Sequence, residues 1–116
     1  MTLAQLALTL ACVAAIAGGQ VLFKLAARSG EASAAGFPWD ILNVWLVAAI
    51  AVYGAAALLW VWLLKSLPLT VAYPFVGLAF VMVPVLAAYL LGEPLDWRHL
   101  AGGTMIAAGV AVSSWR

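Results

Sequence analysis

Lys24 occupies the position in this sequence that most needs a chemical explanation. It lies in a long apolar run about one turn before that run ends, where an ionisable group is costly unless something uses or solvates it. Gln20 and Arg28 stand four residues to either side, so on a helix the three form one polar stripe. A cation placed this way can face a phosphate or carboxylate in a groove between helices. Lys24 and Arg28 can equally extend their stems to the lipid headgroups, but Gln20 is deeper and too short to do so. Glu93 closes a later apolar run at the same membrane surface. There it can pair with Lys24, pair with Arg98, or remain a hydrated carboxylate. Tyr73, Thr70 and Ser66 follow at about one-turn spacing where that later run begins.

Other chemistry is missing from the sequence. His99 is the sole histidine and Cys12 the sole cysteine, and no Gly-rich phosphate loop follows a strand. No catalytic group, metal or cofactor is therefore expected, and the chain is expected not to be an enzyme. Cys12 has no second cysteine to pair with and reads as a small core- or lipid-facing residue. The net charge of +1 supplies no basic stripe, which argues against nucleic acid as a partner.

The elements that must position these residues follow from composition. Of 116 residues, 68% are hydrophobic and 8% charged, with a mean hydropathy of +1.17. Soluble domains carry about 25% charged residues, so the solvent of this chain is lipid and a water-soluble enzyme is excluded. Charges and turn formers divide the sequence into four apolar stretches, at about residues 3–27, 41–64, 69–91 and 97–114, against the roughly 20 residues a helix needs to span a bilayer. These runs are too long for barrel strands and lack their alternation. The fold class is an all-α membrane protein, a single domain of four transmembrane helices over residues 1–116. No Lys or Arg precedes the first stretch, so it is expected to be a retained span and not a cleaved signal.

Local signals mark the joints. Arg28-Ser29-Gly30-Glu31-Ala32-Ser33 reads as the first loop. Asp40 reads as the N-cap of the second helix, with Trp39 at headgroup level. Lys65-Ser66-Leu67-Pro68 is so short that the second and third helices must be antiparallel neighbours. Gly92-Glu93-Pro94 ends the third helix, Asp96 reads as the N-cap of the fourth, and Trp115-Arg116 reads as an interfacial anchor.

Pro74, Gly77 and Pro84 weaken the third helix, and a bend at Pro74 and Gly77 can serve as a hinge for alternating access. Membrane helices also carry such residues without any gating role. Ala14, Ala15, Gly18 and Gly19 mark close helix contacts in the first span. Gly102 and Gly109, a heptad apart, share a face that suits either a neighbour in the chain or a second chain. Trp45, Tyr53, Trp60 and Trp62 read as packing or interface residues. Lys24, Arg28 and Arg98 on one side balance Lys65 and Arg116 on the other, so charge does not fix orientation. Either the chain inserts both ways and pairs antiparallel with itself, or a partner or lipid selects one orientation.

Leu67-Pro68-Leu69-Thr70-Val71-Ala72-Tyr73-Pro74, then Leu91-Gly92-Glu93-Pro94-Leu95, then a Gly-rich last helix, resemble the four-helix small members of the drug/metabolite transporter superfamily. Ala17-Gly18-Gly19-Gln20 through Lys24 is similar to the end of their first helix, so the resemblance covers essentially the whole chain. The small multidrug-resistance branch exchanges protons for cationic drugs through a glutamate in that helix. Ile16 stands at that position here, and no Asp or Glu occurs in residues 1–27. The other branch is EamA-like and includes paired small subunits that flip aminoarabinose-phosphoundecaprenol; its anionic ligands suit a stripe whose deep charge is positive.

That resemblance implies a working dimer, with an identical or a related four-helix chain, in the bacterial inner membrane. Its ligand would be a polyprenyl-phosphate-linked sugar, with surrounding membrane lipids as further partners. Lys24, Gln20 and Arg28 would hold the phosphate, Tyr73 and Glu93 the sugar, Pro74 and Gly77 would bend, and the fourth helices, with Gly102 and Gly109, would meet. An exporter of small cationic compounds coupled through Glu93 and a non-transporting accessory subunit are the alternatives.

Overall fold

The computed structural model describes residues 1–31 and 42–114, with no side-chain description at 30 and 31. Regular structure among them is helical throughout: α1 (Leu3–Glu31), α2 (Val44–Leu64), α3 (Leu69–Ala72), a 3-10 segment (Tyr73–Leu78), α4 (Ala79–Leu91) and α5 (Trp97–Ser114). The α3, 3-10 and α4 pieces form one third span.

Helix starts are fixed by side chains that satisfy the free N–H groups of a first turn. Thr2 and Gln5 make a reciprocal box at α1, Thr2 N donating to Gln5 Oε1 at 2.8 Å and Gln5 N to Thr2 Oγ1 at 3.1 Å. At α2 the cap is Asn43, whose Oδ1 accepts from Trp45 N and Leu46 N at 3.0 and 3.2 Å. The second span thus begins at Val44 and not at 41; Trp39 and Asp40 lie outside the described residues, as does the expected anchor at 115–116. Asp96 precedes α5, and its backbone N–H donates to His99 Nδ1 at 3.0 Å, closing the first turn.

The first helix runs one turn beyond the expected end at 27. Arg28 and Ser29 are helical where a loop is expected. The loop signal rested on Ser29 and Gly30, but a glycine in a helix costs only about 1 kcal/mol. That cost is offset by a bond from Arg28 to the end of α4. The third span is interrupted as Pro74 requires: proline carries no N–H for an α-helical bond, and the chain tightens to 3-10 from Tyr73 to Leu78 before resuming α-helix. Pro84 sits inside α4 without ending it.

The helices lie in a row. α1 is central, with α2 on one flank and the third span on the other, and α5 packs on the far side of the third span. A Cβ built at Gly103 would meet Val81, whereas Ile106 and Val110 lie against Gly77, so α5 runs antiparallel to the third span. The result measures 54 × 35 × 18 Å.

Packing is concentrated on α1. Cys12 joins Ala56, Leu63, Leu67 and Ala72 in one cluster, and Val13 joins Phe75 and Val110 in another. The α1–α2 seam is built from small buried residues, Cys12, Gly19 and Ala26 a heptad apart on α1 with Ala49 and Ala56 on α2, and Cys12 Sγ donates to Ala56 O at 3.3 Å. Close backbone approach gives the dispersion contact that holds helices together where lipid removes the hydrophobic drive.

Apolar side chains such as Val47, Ile50, Leu58 and Phe80 point outward, as a lipid-facing surface requires. Among the described residues three helices are long and apolar enough to cross a membrane, Leu3–Ser29, Val44–Leu64 and Leu69–Leu91. α5 is the shortest of the four, at 18 residues, and opens with Trp97, Arg98 and His99.

Candidate functional site

The polar stripe of α1 faces the third span. On α4, Val83, Ala87 and Leu91 recur every four residues, so they form a matching stripe opposite Gln20 and Lys24. Between them runs a groove in two connected stretches. The deeper stretch, about 410 Å³, is apolar and lined by Ile16, Gln20, Tyr53, Val76, Phe80 and Val83 among others. The stretch toward the membrane surface, about 190 Å³, is lined by Gln20, Val21, Lys24, Val83, Ala87, Leu91 and Glu93. Gln20 and Val83 line both, so one groove passes from apolar to charged along α1.

The charged end is organised by the end of α4. Gly92 adopts the left-handed conformation, φ 69°, which glycine reaches without Cβ strain and which turns the chain out of the helix. Glu93 is thereby set at the groove mouth with its N–H donating to Ala87 O at 3.3 Å. Arg28 Nη2 donates to Leu91 O at 3.0 Å and lies 3.8 Å from Glu93 Oε2. Arg28 therefore satisfies a carbonyl at the end of α4 and neutralises Glu93. Lys24 is exposed into the groove and makes no hydrogen bond or ion pair among the described residues. Of the partners open to Glu93 in the sequence, the structure selects neither Lys24 nor Arg98; Arg98 lies over the Trp97 ring instead, 5.8 Å from its centroid.

The expected site residues divide accordingly. Gln20, Lys24 and Glu93 come together in the groove, and Arg28 touches it through Glu93. Tyr73 is 62% exposed and lines neither stretch. It sits near the opposite membrane surface, about 30 Å from Glu93 along a span rising 1.5 Å per residue, so one headgroup cannot contact both. Ser66 is taken up structurally, accepting from Gln5 Nε2 at 3.1 Å across the turn between α2 and α3. Gly77 packs on Ile106 and Val110, while a Cβ at Gly102 or Gly109 would meet nothing within 4 Å.

Tyr53 is the groove residue that the sequence places only among packing residues. Its ring lies 5.2 Å from that of Phe23, and its hydroxyl accepts a hydrogen bond from Gln20 Nε2. The pairing bridges 33 positions and leaves no local signal; the nearest hint is Gly19, whose bare backbone the ring covers.

No group of three metal-ligating side chains occurs among the described residues. Among the described residues the carboxylate lining the groove is Glu93, at its charged end, and Ile16 lines the apolar stretch.

Membrane-crossing helices enclosing a lateral groove that passes from apolar to charged have the form of a membrane carrier. The EamA-like transporter family matches residues 4–115, and the chain belongs to that family. It is 37% identical over 107 residues to a probable 4-amino-4-deoxy-L-arabinose-phosphoundecaprenol flippase subunit ArnE of Pseudomonas aeruginosa (strain LESB58), covering 91% of this chain and 93% of that protein. The protein of the same description from Pseudomonas fluorescens (strain Pf0-1) is 32% identical over 105 residues, 90% and 91% of the two chains. That of Sodalis glossinidius (strain morsitans) is 41% identical over 66 residues, 57% of this chain and 60% of the other. No solved structure matches.

Proposed function

We propose that this chain is one subunit of a flippase in the bacterial inner membrane that moves a polyprenyl-phosphate-linked aminosugar between leaflets. The observation that carries it is Lys24, an ammonium without a partner among the described residues, at the charged end of a groove whose other end is apolar. The ligand named for the relatives has the same polarity: an apolar tail, a phosphate anion, and a sugar bearing an amine. Lys24 binds the phosphate oxygen as a charge-assisted donor. Glu93 accepts from the sugar amine, because its pairing with Arg28, at 3.8 Å and 37% exposure, is weak enough to exchange. Gln20 contributes its amide at the junction, and the polyprenyl tail follows the apolar stretch out into lipid.

Transport also requires an opening to the other leaflet. A separate cavity of about 600 Å³ lies at the opposite surface, lined by Thr2, Leu6, Val71, Phe75 and Ser114 among others. Phe75 faces that cavity and its neighbour Val76 faces the groove, so the 3-10 segment with Pro74 and Gly77 is the partition between them. Rearranging this segment is the step that exchanges access. A dimer, of identical or related chains meeting on α5 through Gly102 and Gly109, supplies the second wall.

The test is transfer of 4-amino-4-deoxyarabinose-phosphoundecaprenol in proteoliposomes, read by reaction of the sugar amine with a membrane-impermeant amine reagent. Lys24→Met is expected to abolish transfer while membrane level and helicity stay unchanged, and Lys24→Arg to retain part of it. Full transfer by Lys24→Met overturns the assignment.

A further inference from the structure

We infer that Tyr53 is a positioning residue for the groove, holding the Gln20 amide at its apolar-to-charged junction, and that residue 19 is glycine to admit the Tyr53 ring. The inference rests on the flippase reading for its ligand but on independent geometry for its residues.

Three contacts fix the ring. Tyr53 projects from the middle of α2 onto the face of α1, where a Cβ at Gly19 would lie 2.5 Å from Tyr53 Cδ2 and 2.7 Å from Cε2. No side chain larger than hydrogen fits there without moving the ring. Gly18, one residue earlier, has nothing within 4 Å, so the requirement belongs to position 19 and not to a general need for small residues on α1. Phe23, one turn on, closes the other side with ring centroids at 5.2 Å and planes inclined at 48°. Held this way, the Tyr53 hydroxyl receives a hydrogen bond from Gln20 Nε2.

The consequence lies in what Gln20 can still do. A glutamine side chain on a helix surface samples many rotamers, and an amide free to turn away contributes little to binding. With one N–H committed to Tyr53, the amide is pinned where the two stretches of the groove meet. Its Oε1 and second N–H are then presented to the groove, an acceptor for a sugar hydroxyl or amine and a donor for a phosphate oxygen. Tyr53 thus contributes through Gln20 and not as an independent ligand contact.

A double-mutant cycle on the full chain in lipid nanodiscs tests this, with undecaprenyl phosphate as probe and native mass spectrometry as readout. Gln20→Ala and Tyr53→Phe are each expected to weaken binding about 3–10-fold, the value of one neutral hydrogen bond, and the double variant no further. Gly19→Ala is expected to reproduce the loss and Gly18→Ala to bind like the unaltered chain. If Gly19→Ala does not fold, Tyr53→Phe, which keeps the ring, still decides.

A readout without ligand accompanies it: the Tyr53 ring C–O stretch, isolated by labelled tyrosine and subtraction of the Tyr53→Phe spectrum, shifts in Gln20→Ala. Additive losses, or unaltered affinity in Tyr53→Phe beside a loss in Gln20→Ala, overturn the positioning role, as does an unshifted C–O stretch. An unaltered chain that binds no undecaprenyl phosphate but shows the shift overturns the flippase reading and supports the Tyr53 to Gln20 contact.

Discussion

Removing the guanidinium of Arg28 separates two roles that the stripe of α1 leaves merged: a ligand for an anionic headgroup and a clamp on the third span. Arg28→Met keeps the apolar stem and deletes both the bond to Leu91 O and the pairing with Glu93. A hydrogen bond from a charged donor contributes about 1.5–3 kcal/mol; with the side chain 42% exposed the lower end applies, about 1.5 kcal/mol. The pairing with Glu93 adds at most about 0.5–1 kcal/mol.

An unfolding entropy of about 2.1 cal/mol/K per residue converts 1.5 kcal/mol into a fall of about 6 °C for a chain of this length. That is a lower bound, because membrane helices persist after tertiary unfolding and the entropy is smaller. The assay needs no engineered reporter: Cys12 is the sole cysteine and fully buried, so a fluorogenic thiol reagent reports its release on heating in detergent. Arg28→Met is expected to unfold at least about 6 °C lower while binding undecaprenyl phosphate within about threefold of the unaltered chain. Lys24→Met is expected to do the reverse, losing about 10–100-fold in affinity with the loss of one charge-assisted contact. An Arg28→Met chain that unfolds at the original temperature and loses tenfold or more in affinity refutes the division of labour.

The same thiol assay checks two further sites. Asn43→Ala removes the α2 cap and the bond from Asn43 Nδ2 to Ala26 O at 3.0 Å, for an expected loss of about 1–2 kcal/mol from the cap alone; Asn43→Asp, which keeps the acceptor, should recover most of the cap's share. Gly103→Ala places a Cβ 3.2 Å from Val81 Cγ2 and is expected to lower the unfolding temperature, with Val81→Ala restoring it, whereas Gly102→Ala does neither. On the open face, Gly109→Trp is expected to convert a dimer mass to a monomer mass in native mass spectrometry without lowering the unfolding temperature of the chain. An unchanged dimer places the interface elsewhere.

What the sequence made legible was whatever depends on composition and near neighbours. The four helices and their rough extents follow from apolar runs and the end of α4 from Gly92, but the short turn at residues 65–68 does not make α2 and the third span packed neighbours, because α1 lies between them. The interruption of the third span follows from Pro74. The Lys24 stripe was legible because helical periodicity puts its members on one face. Pairings made across the chain were not. Asn43 is the cap because its Oδ1 accepts from Trp45 N and Leu46 N while its Nδ2 reaches the carbonyl of Ala26 on α1, a contact 17 positions away. Arg28 chooses Leu91 O, 63 positions away, and by doing so extends α1 through what reads as a loop. Tyr53 looked like any interfacial aromatic until α2 was laid on Gly19.

The lateral groove bears directly on how such a chain can move a lipid. Extracting a polyprenyl chain from hydrocarbon costs about 0.8 kcal/mol per CH2, tens of kcal/mol in all, more than any contact in a groove of this size returns. A carrier for such a ligand must therefore leave the tail in the bilayer and shield only the headgroup. The groove between α1 and the third span meets that condition: its deeper stretch is apolar from Ile16 to Phe80, and its cation is placed at one end. The barrier left to lower is that of an anion crossing hydrocarbon, prohibitive for a bare charge and much smaller for one paired with an ammonium. Lys24 lies only about 10 Å of helix from the end of α1, so on the proposed reading it captures the phosphate near one surface. On the same reading the remaining distance is covered by rearranging the partition at Tyr73–Leu78 and by a second chain closing the open side. A lone copy of this chain is thus expected to bind the lipid phosphate without transporting it, and transport by a strictly monomeric preparation would contradict this account of the groove.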